Sequence, residues 1–129
     1  MELNNVFVLD DDEIFLFLME DIFKEIKNIK RINFESNPKF AFEFLDWCKV
    51  KKNFPDYIFT DLNMPELDGY EFLKLYEKEY YPLFPKSKVI IITGVEPQKR
   101  KENEYNYPFV KGVIVKPVST EKIAEVLRD

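Results

Sequence analysis

The chain has 129 residues and carries 19 Lys+Arg against 24 Asp+Glu, a formal net charge of −5, which is the size of one domain with no room for a second. With 46% hydrophobic and 33% charged residues, the balance is that of a folded globular chain and excludes a disordered tail. The acidic excess argues against direct binding to nucleic acid, since the one tight basic cluster, Lys99–Lys101, sits among Glu96, Glu102 and Glu104.

Along the chain, short apolar runs alternate with stretches of helical periodicity. Asn5–Leu9 (NVFVL) is long enough for a buried strand and too short for a helix. The spacing of Ile14, Phe15, Leu18, Met19, Ile22, Phe23, Ile26 and Ile29 predicts a helix over Glu13–Ile29, with Leu16 and Phe17 off its core stripe. Asp12 is placed to cap it. Arg31–Glu35 reads as a second strand, and Ser36-Asn37-Pro38 as the start of a second helix. That helix has Phe40, Ala41, Phe44, Trp47 and Cys48 as its apolar stripe. Asp56–Thr60 is a third strand and Gly69–Tyr80 a third helix, and Lys88–Thr93 (KVIIIT) gives the strongest strand signal. Glu96–Tyr107, bounded by Pro97 and Pro108, reads as a short or irregular helix. Gly112–Val115 is the last strand and Thr120–Leu127 the last helix, with Ser119 or Thr120 as its cap.

Five βα units in this order predict an α/β fold: a doubly wound parallel sheet with helices on both faces. What the sequence lacks narrows the chemistry. It has no histidine, which removes Ser-His-Asp and Cys-His catalysis and His-ligated zinc. Its single cysteine, Cys48, has no internal disulfide partner and fits a packed hydrophobe in a reducing compartment. Three glycines, Gly69, Gly94 and Gly112, are too few and too scattered for a P-loop or a dinucleotide fingerprint. The longest apolar run, Ile14–Met19, is far short of the roughly 20 residues of a membrane span.

Parallel sheets of this kind carry their sites at the carboxyl ends of the strands. Here the first strand ends in Asp10-Asp11-Asp12-Glu13, the third in Thr60-Asp61, the fourth in Thr93-Gly94 and the fifth in Lys116-Pro117. The second, ending near Glu35-Ser36, lies outside the pattern. Acidic groups gathered at one sheet edge need a cation, and a hard divalent ion with oxygen ligands suits them. A lysine and a hydroxyl beside that ion would suit phosphoryl oxygens, so the set points to phosphoryl transfer. A structural ion-pair network would use the same acids but leave the hydroxyl unexplained. Asp68 reads as a turn residue before Gly69.

Asp10-Asp11 after VFVL, TDLNMPELDG at Thr60–Gly69, IIITG at Ile90–Gly94 and VKP at Val115–Pro117 together resemble a response-regulator receiver domain, over essentially the whole chain. The resemblance implies a flavodoxin-like five-stranded parallel sheet in the order 2-1-3-4-5, and a single receiver domain over residues 1–129 with no output domain in this chain. It implies Asp61 as phosphoacceptor, Asp10, Asp11, Asp61 and the backbone carbonyl of Asn63 as Mg²⁺ ligands with Mn²⁺ able to substitute, and Thr93 and Lys116 as partners of the phosphoryl group. Pro65 and Gly69 would shape the loop, and Lys116–Pro117 is a candidate cis peptide. The resemblance implies a cytoplasmic protein, a monomer or a phosphorylation-dependent dimer, whose partner is a sensor histidine kinase or histidine phosphotransfer protein. Such a domain is a phosphoacceptor and not an enzyme acting on other substrates. Leu16 and Phe17, off the core stripe beside the acids, would either suit docking on a histidine-bearing helical bundle or pack under a loop.

Two departures bear on output and lifetime. Val113 stands three residues before the lysine, where the family usually carries a switch aromatic; Tyr105, Tyr107 and Phe109 are the rings nearest in sequence. Asn63 and Val95 border the path of an attacking water, which predicts slow to moderate autodephosphorylation. Two other functions compete with this reading. A phosphorylation-independent receiver-fold dimerisation module would not need the intact set of Asp10, Asp11, Asp61, Thr93 and Lys116. A small aspartyl-phosphate hydrolase would want an acid where Asn63 stands.

Overall fold

The computed structural model describes residues 3–64, 67, 69–94 and 106–128. Pro65, Asp68, Val95, Tyr105, the Lys99–Lys101 cluster and nearly all of the expected 96–107 helix lie outside that set. The described elements run β1 (Asn4–Leu9), α1 (Glu13–Lys24), β2 (Ile29–Glu35), α2 (Pro38–Lys51), β3 (Tyr57–Asp61), α3 (Gly69–Glu79), β4 (Lys88–Thr93), β5 (Val110–Val115) and α4 (Thr120–Leu127). The strands form one parallel sheet in the order β2-β1-β3-β4-β5, the flavodoxin-like arrangement that the alternation and the resemblance led us to expect.

Alternation along the strands divides the core in two. From β1, Phe7 and Leu9 join Ala41, Leu45, Phe72, Leu73 and Tyr76 beneath α2 and α3. Val6 and Val8 join Leu16, Met19, Phe23, Ile123 and Leu127 beneath α1 and α4. Ile58, Phe59, Ile90 and Ile91 are almost wholly covered, as central strands of a sheet clad on both faces must be. Each such side chain contributes about 1.5–3 kcal/mol by leaving water.

Local signals set the helix starts. The Asp12 carboxylate accepts from the amides of Ile14 and Phe15 at 3.0 and 3.2 Å, satisfying donors that the first turn leaves orphaned. Asn37 caps α2 through the Lys39 amide, with Pro38 in the first turn, and Ser119 caps α4 through the Lys122 amide. Two expectations about the helices need correction. α1 stops at Lys24 instead of reaching Ile29, because Ile29 opens β2 and pairs with Asn4. Its buried face is Leu16, Met19 and Phe23, while Ile14 and Leu18 stand exposed together with Phe17. Leu16 is therefore a core residue and drops out of the exposed pair expected beside the acids; Phe17 remains. The expected stripe lay off by a partial turn, because in a run as uniformly apolar as Ile14–Met19 periodicity does not fix the rotation of the helix. On α2, Ala41, Leu45 and Cys48 are buried, but Phe40 and Trp47 are about half exposed and are not core. Phe44 lies between, stacked on Phe7 with centroids 4.8 Å apart. Among the described residues no helix is long and apolar enough to cross a membrane.

Candidate functional site

The ends of β1, β3, β4 and β5 meet at one edge of the sheet, and their terminal residues converge. Asp10, Asp61, Thr60 and Thr93 are all buried, unusual for two carboxylates unless they are paired. The Lys116 ammonium lies 3.0 Å from Asp10 Oδ2 and 3.6 Å from Asp61 Oδ2. Lys116 is brought there by β5, whose end is tied to β4 where the Lys116 amide donates to the Thr93 carbonyl at 2.8 Å. One carboxylate oxygen from each of Asp10, Asp11 and Asp61 lies within 4.8 Å of the others.

Backbone amides fix both buried carboxylates. Asp10 Oδ1 accepts from the Asp12 amide at 2.9 Å, and Asp61 Oδ1 accepts from the Asn63 amide at 3.0 Å. The Thr60 hydroxyl donates to the Asp61 carbonyl at 3.1 Å. Burial raises the Asp10 carboxyl above its ordinary 3.8, against the lowering pull of the Asp12 amide and Lys116. Burial raises Asp61 likewise, and the charge of Asp10 adds to it, while the Asn63 amide and Lys116 oppose. Three carboxylates thus face one ammonium, two of them shielded from water. Oxygen donors so close together suit a hard divalent cation, whose charge would favour the ionised form of carboxylates that burial disfavours.

Asp10, Asp11, Asp61, Thr93 and Lys116, picked from four separate strand ends, are therefore brought to one edge. Asn63 is there through its amide. Glu35 is not: its carboxylate turns to the amides of Ser36 and Asn37, at 3.0 and 2.9 Å. Gly69 belongs to the site's frame. Its amide donates to the Leu62 carbonyl at 2.9 Å, and a Cβ at this position would lie 2.4 Å from Leu62 Cα. Gly94 is open, and a Cβ there would meet nothing within 4 Å. The Lys116–Pro117 peptide is cis.

Val113, at the position of the usual switch aromatic, is half-buried against the core. Phe109 does not stand in for it at the pocket. It is buried among Tyr76, Tyr81 and Tyr107, at centroid distances of 4.7, 5.2 and 5.0 Å. One residue of the site is not foreseeable from the sequence. The Phe15 ring lies over the Lys116 ammonium, 4.1 Å from Nζ to centroid. Spacing alone puts Phe15 in the core stripe, and nothing in it distinguishes a first-turn phenylalanine beneath a lysine from one that only fills space.

An acidic pocket at the carboxyl edge of a 2-1-3-4-5 parallel sheet defines the class as a flavodoxin-like α/β protein with its site at the strand ends. Residues 6–128 match the response regulator receiver domain, and the chain belongs to that family. A two-component response regulator from Cytophaga hutchinsonii has the same fold at a TM-score of 0.89, with 21% identity over 99% of this chain and 96% of that one. The receiver domain of the histidine kinase CKI1 from Arabidopsis thaliana, crystallised with Mg²⁺ and BeF₃⁻, matches at a TM-score of 0.76, with 21% identity over 97% of this chain and 87% of that one. An uncharacterized response regulatory protein of Vibrio cholerae is 27% identical over 94% of this chain. The chain spans 46% of the length of that relative.

Proposed function

We propose that residues 1–129 act as a receiver unit that accepts a phosphoryl group from a phosphohistidine donor onto Asp61, with Mg²⁺, and changes conformation to signal in a two-component or phosphorelay pathway. The observation that carries this reading is the setting of Asp61: a buried carboxylate with one oxygen held by the Asn63 amide and the other 3.6 Å from the Lys116 ammonium. In the reaction an Asp61 oxygen bonds to phosphorus as the bond from phosphorus to the donor's imidazole nitrogen breaks, and the nitrogen keeps the electron pair. The product is an acyl phosphate. Lys116 moves onto the new charge, and Thr93 supplies a hydroxyl to a phosphoryl oxygen. Those two residues sit at the ends of β5 and β4, so their movement is the route by which charge at Asp61 reaches the rest of the fold.

Asp10, Asp11 and Asp61, with the Asn63 carbonyl, would hold the cation, which supplies charge neutralisation at the phosphoryl oxygens. In the absence of phosphorylation, adding Mg²⁺ should raise the melting temperature and EDTA should reverse the rise. At about 100 times its dissociation constant the ion would contribute roughly 2.7 kcal/mol, or roughly 10 °C for a chain of this size. Calorimetry of the native chain beside Asp11→Asn checks it: a gain that survives the substitution would place the ion elsewhere. A sensor histidine kinase or histidine phosphotransfer protein is the proposed donor. The exposed row Ile14, Phe17 and Leu18 on α1, next to the pocket, offers its helices an apolar seat.

The reading as a whole is tested by intact mass after incubation with acetyl phosphate and Mg²⁺. One added phosphoryl group is expected, and none when EDTA is present. If no adduct forms and beryllium fluoride also fails to bind, the chain is a phosphorylation-independent module, and its association state becomes the next measurement.

A further inference from the structure

The Lys116 ammonium has a third neighbour besides the two carboxylates. The Phe15 ring faces it from α1 at 4.1 Å from Nζ to centroid, well inside the roughly 6 Å over which a ring attracts a cation. Asp10 lies 3.0 Å from the same nitrogen and Asp61 3.6 Å from it. The ammonium thus donates to Asp10, pairs electrostatically with Asp61, and meets the π face on a third side. The lysine side chain keeps only 23% of its exposure.

Phe15 is itself held. Its amide donates to the Asp12 cap at 3.2 Å, and the Asp12 amide donates to Asp10 Oδ1 at 2.9 Å. The ring is half-buried and packs against the core cluster that holds Leu16 and Met19. One continuous set of contacts therefore runs from the Asp10 carboxylate through the α1 cap to the ring that covers Lys116. Without the ring, the four-carbon lysine stem loses one of the contacts that limit its rotamers, and ordering it costs more entropy when it must meet the phosphoryl group.

We infer that Phe15 is a positioning residue for phosphoryl transfer: its ring closes the solvent side of Lys116 and keeps the ammonium over Asp61. This rests on the proposed phosphoacceptor role of Asp61. Phe15→Leu keeps an apolar side chain but removes the π face, whereas Phe15→Tyr keeps the ring. With acetyl phosphate and Mg²⁺ in excess, Phe15→Leu should be phosphorylated roughly three- to tenfold more slowly than the native chain, the range expected from the loss of one partly desolvated cation–π contact. Phe15→Tyr should stay within about twofold of the native rate, since it presents the same face.

A spectroscopic signature separates positioning from packing. The ring current of Phe15 should shift the Lys116 ε-methylene protons upfield in the native chain and in Phe15→Tyr, and the shift should vanish in Phe15→Leu. Equal phosphorylation rates for the native chain and Phe15→Leu, or unshifted Lys116 protons in the native chain, overturn the inference while leaving the receiver reading intact. A slow Phe15→Tyr chain with an undiminished melting temperature also overturns it. A native chain that takes no phosphoryl group at all removes the receiver reading, and the inference falls with it.

Discussion

Asp61→Asn should take up no phosphoryl group from acetyl phosphate, and in metal-free buffer at neutral pH it should melt above the native chain. The loss of the adduct follows because the amide oxygen that replaces a carboxylate oxygen is a poor nucleophile and cannot form the acyl phosphate. The gain in stability follows from the environment. Burial holds the Asp61 carboxyl above its ordinary 3.8, with Asp10's charge raising it further. The folded state therefore binds a proton more tightly than the unfolded chain does. The native chain gains stability as pH falls through the window from that raised value down to 3.8, and the ionised group costs stability above it. Asparagine removes that cost, while Lys116 keeps its 3.0 Å contact with Asp10. The gap between variant and native chain should narrow as the buffer is made more acidic. Thermal melts at several pH values, run beside intact mass, check both halves. An adduct on the variant would move the acceptor to another carboxylate, and a variant melting below the native chain would overturn the account of Asp61 as a strained charge.

Gly69→Ala should lower stability by about 3 kcal/mol or more and reduce phosphoryl uptake together with it. No glycine in the described residues has a positive φ, so the requirement is one of space and not of backbone conformation. A Cβ on Gly69 would meet Leu62 Cα at 2.4 Å and the carbonyl oxygens of Asp61 and Leu62 at 2.8 and 2.9 Å. These are backbone atoms, which cannot swing aside as a side chain would. The start of α3 must then withdraw from the loop that follows Asp61, and the Asn63 amide on Asp61 Oδ1 moves with that loop. Gly112→Ala is the matched control. There a Cβ meets nothing nearer than Ile90 Cδ1 at 3.8 Å, an ordinary contact, so β5 should accept the methyl at little cost. Denaturant melts of the two variants decide it: equal stability would show that the loop relaxes around the methyl added in Gly69→Ala, and a large loss in Gly112→Ala would show that glycine is needed for another reason.

Much of this site was legible in the sequence because its chemistry is written in residue types at strand ends. Asp10, Asp61, Thr93 and Lys116 each close or follow a short apolar run, and a parallel sheet brings such ends to a common edge whatever the helices do. The capping of α1 by Asp12 and of α4 by Ser119 was legible for a similar reason, since each depends on bonds within a few residues.

What the sequence by itself determined was therefore the class of fold, the order of its elements and the acids, hydroxyl and lysine of the pocket, all of which follow from local pattern and one topological rule. Only the tertiary structure decided the rotation of α1, where Leu16 turned inward and Ile14 and Leu18 outward, and the exposure of Phe40 and Trp47 on α2. It also decided that Phe15 lies over Lys116 and that Gly69 sits against Leu62. The physical reason is shared. A helix with more apolar residues than one face can hold buries only some of them, and which ones is decided by the surface it lands on, which local spacing does not describe. Contacts of this kind join residues far apart in sequence, as Lys116 and Asp10 are joined across 106 positions.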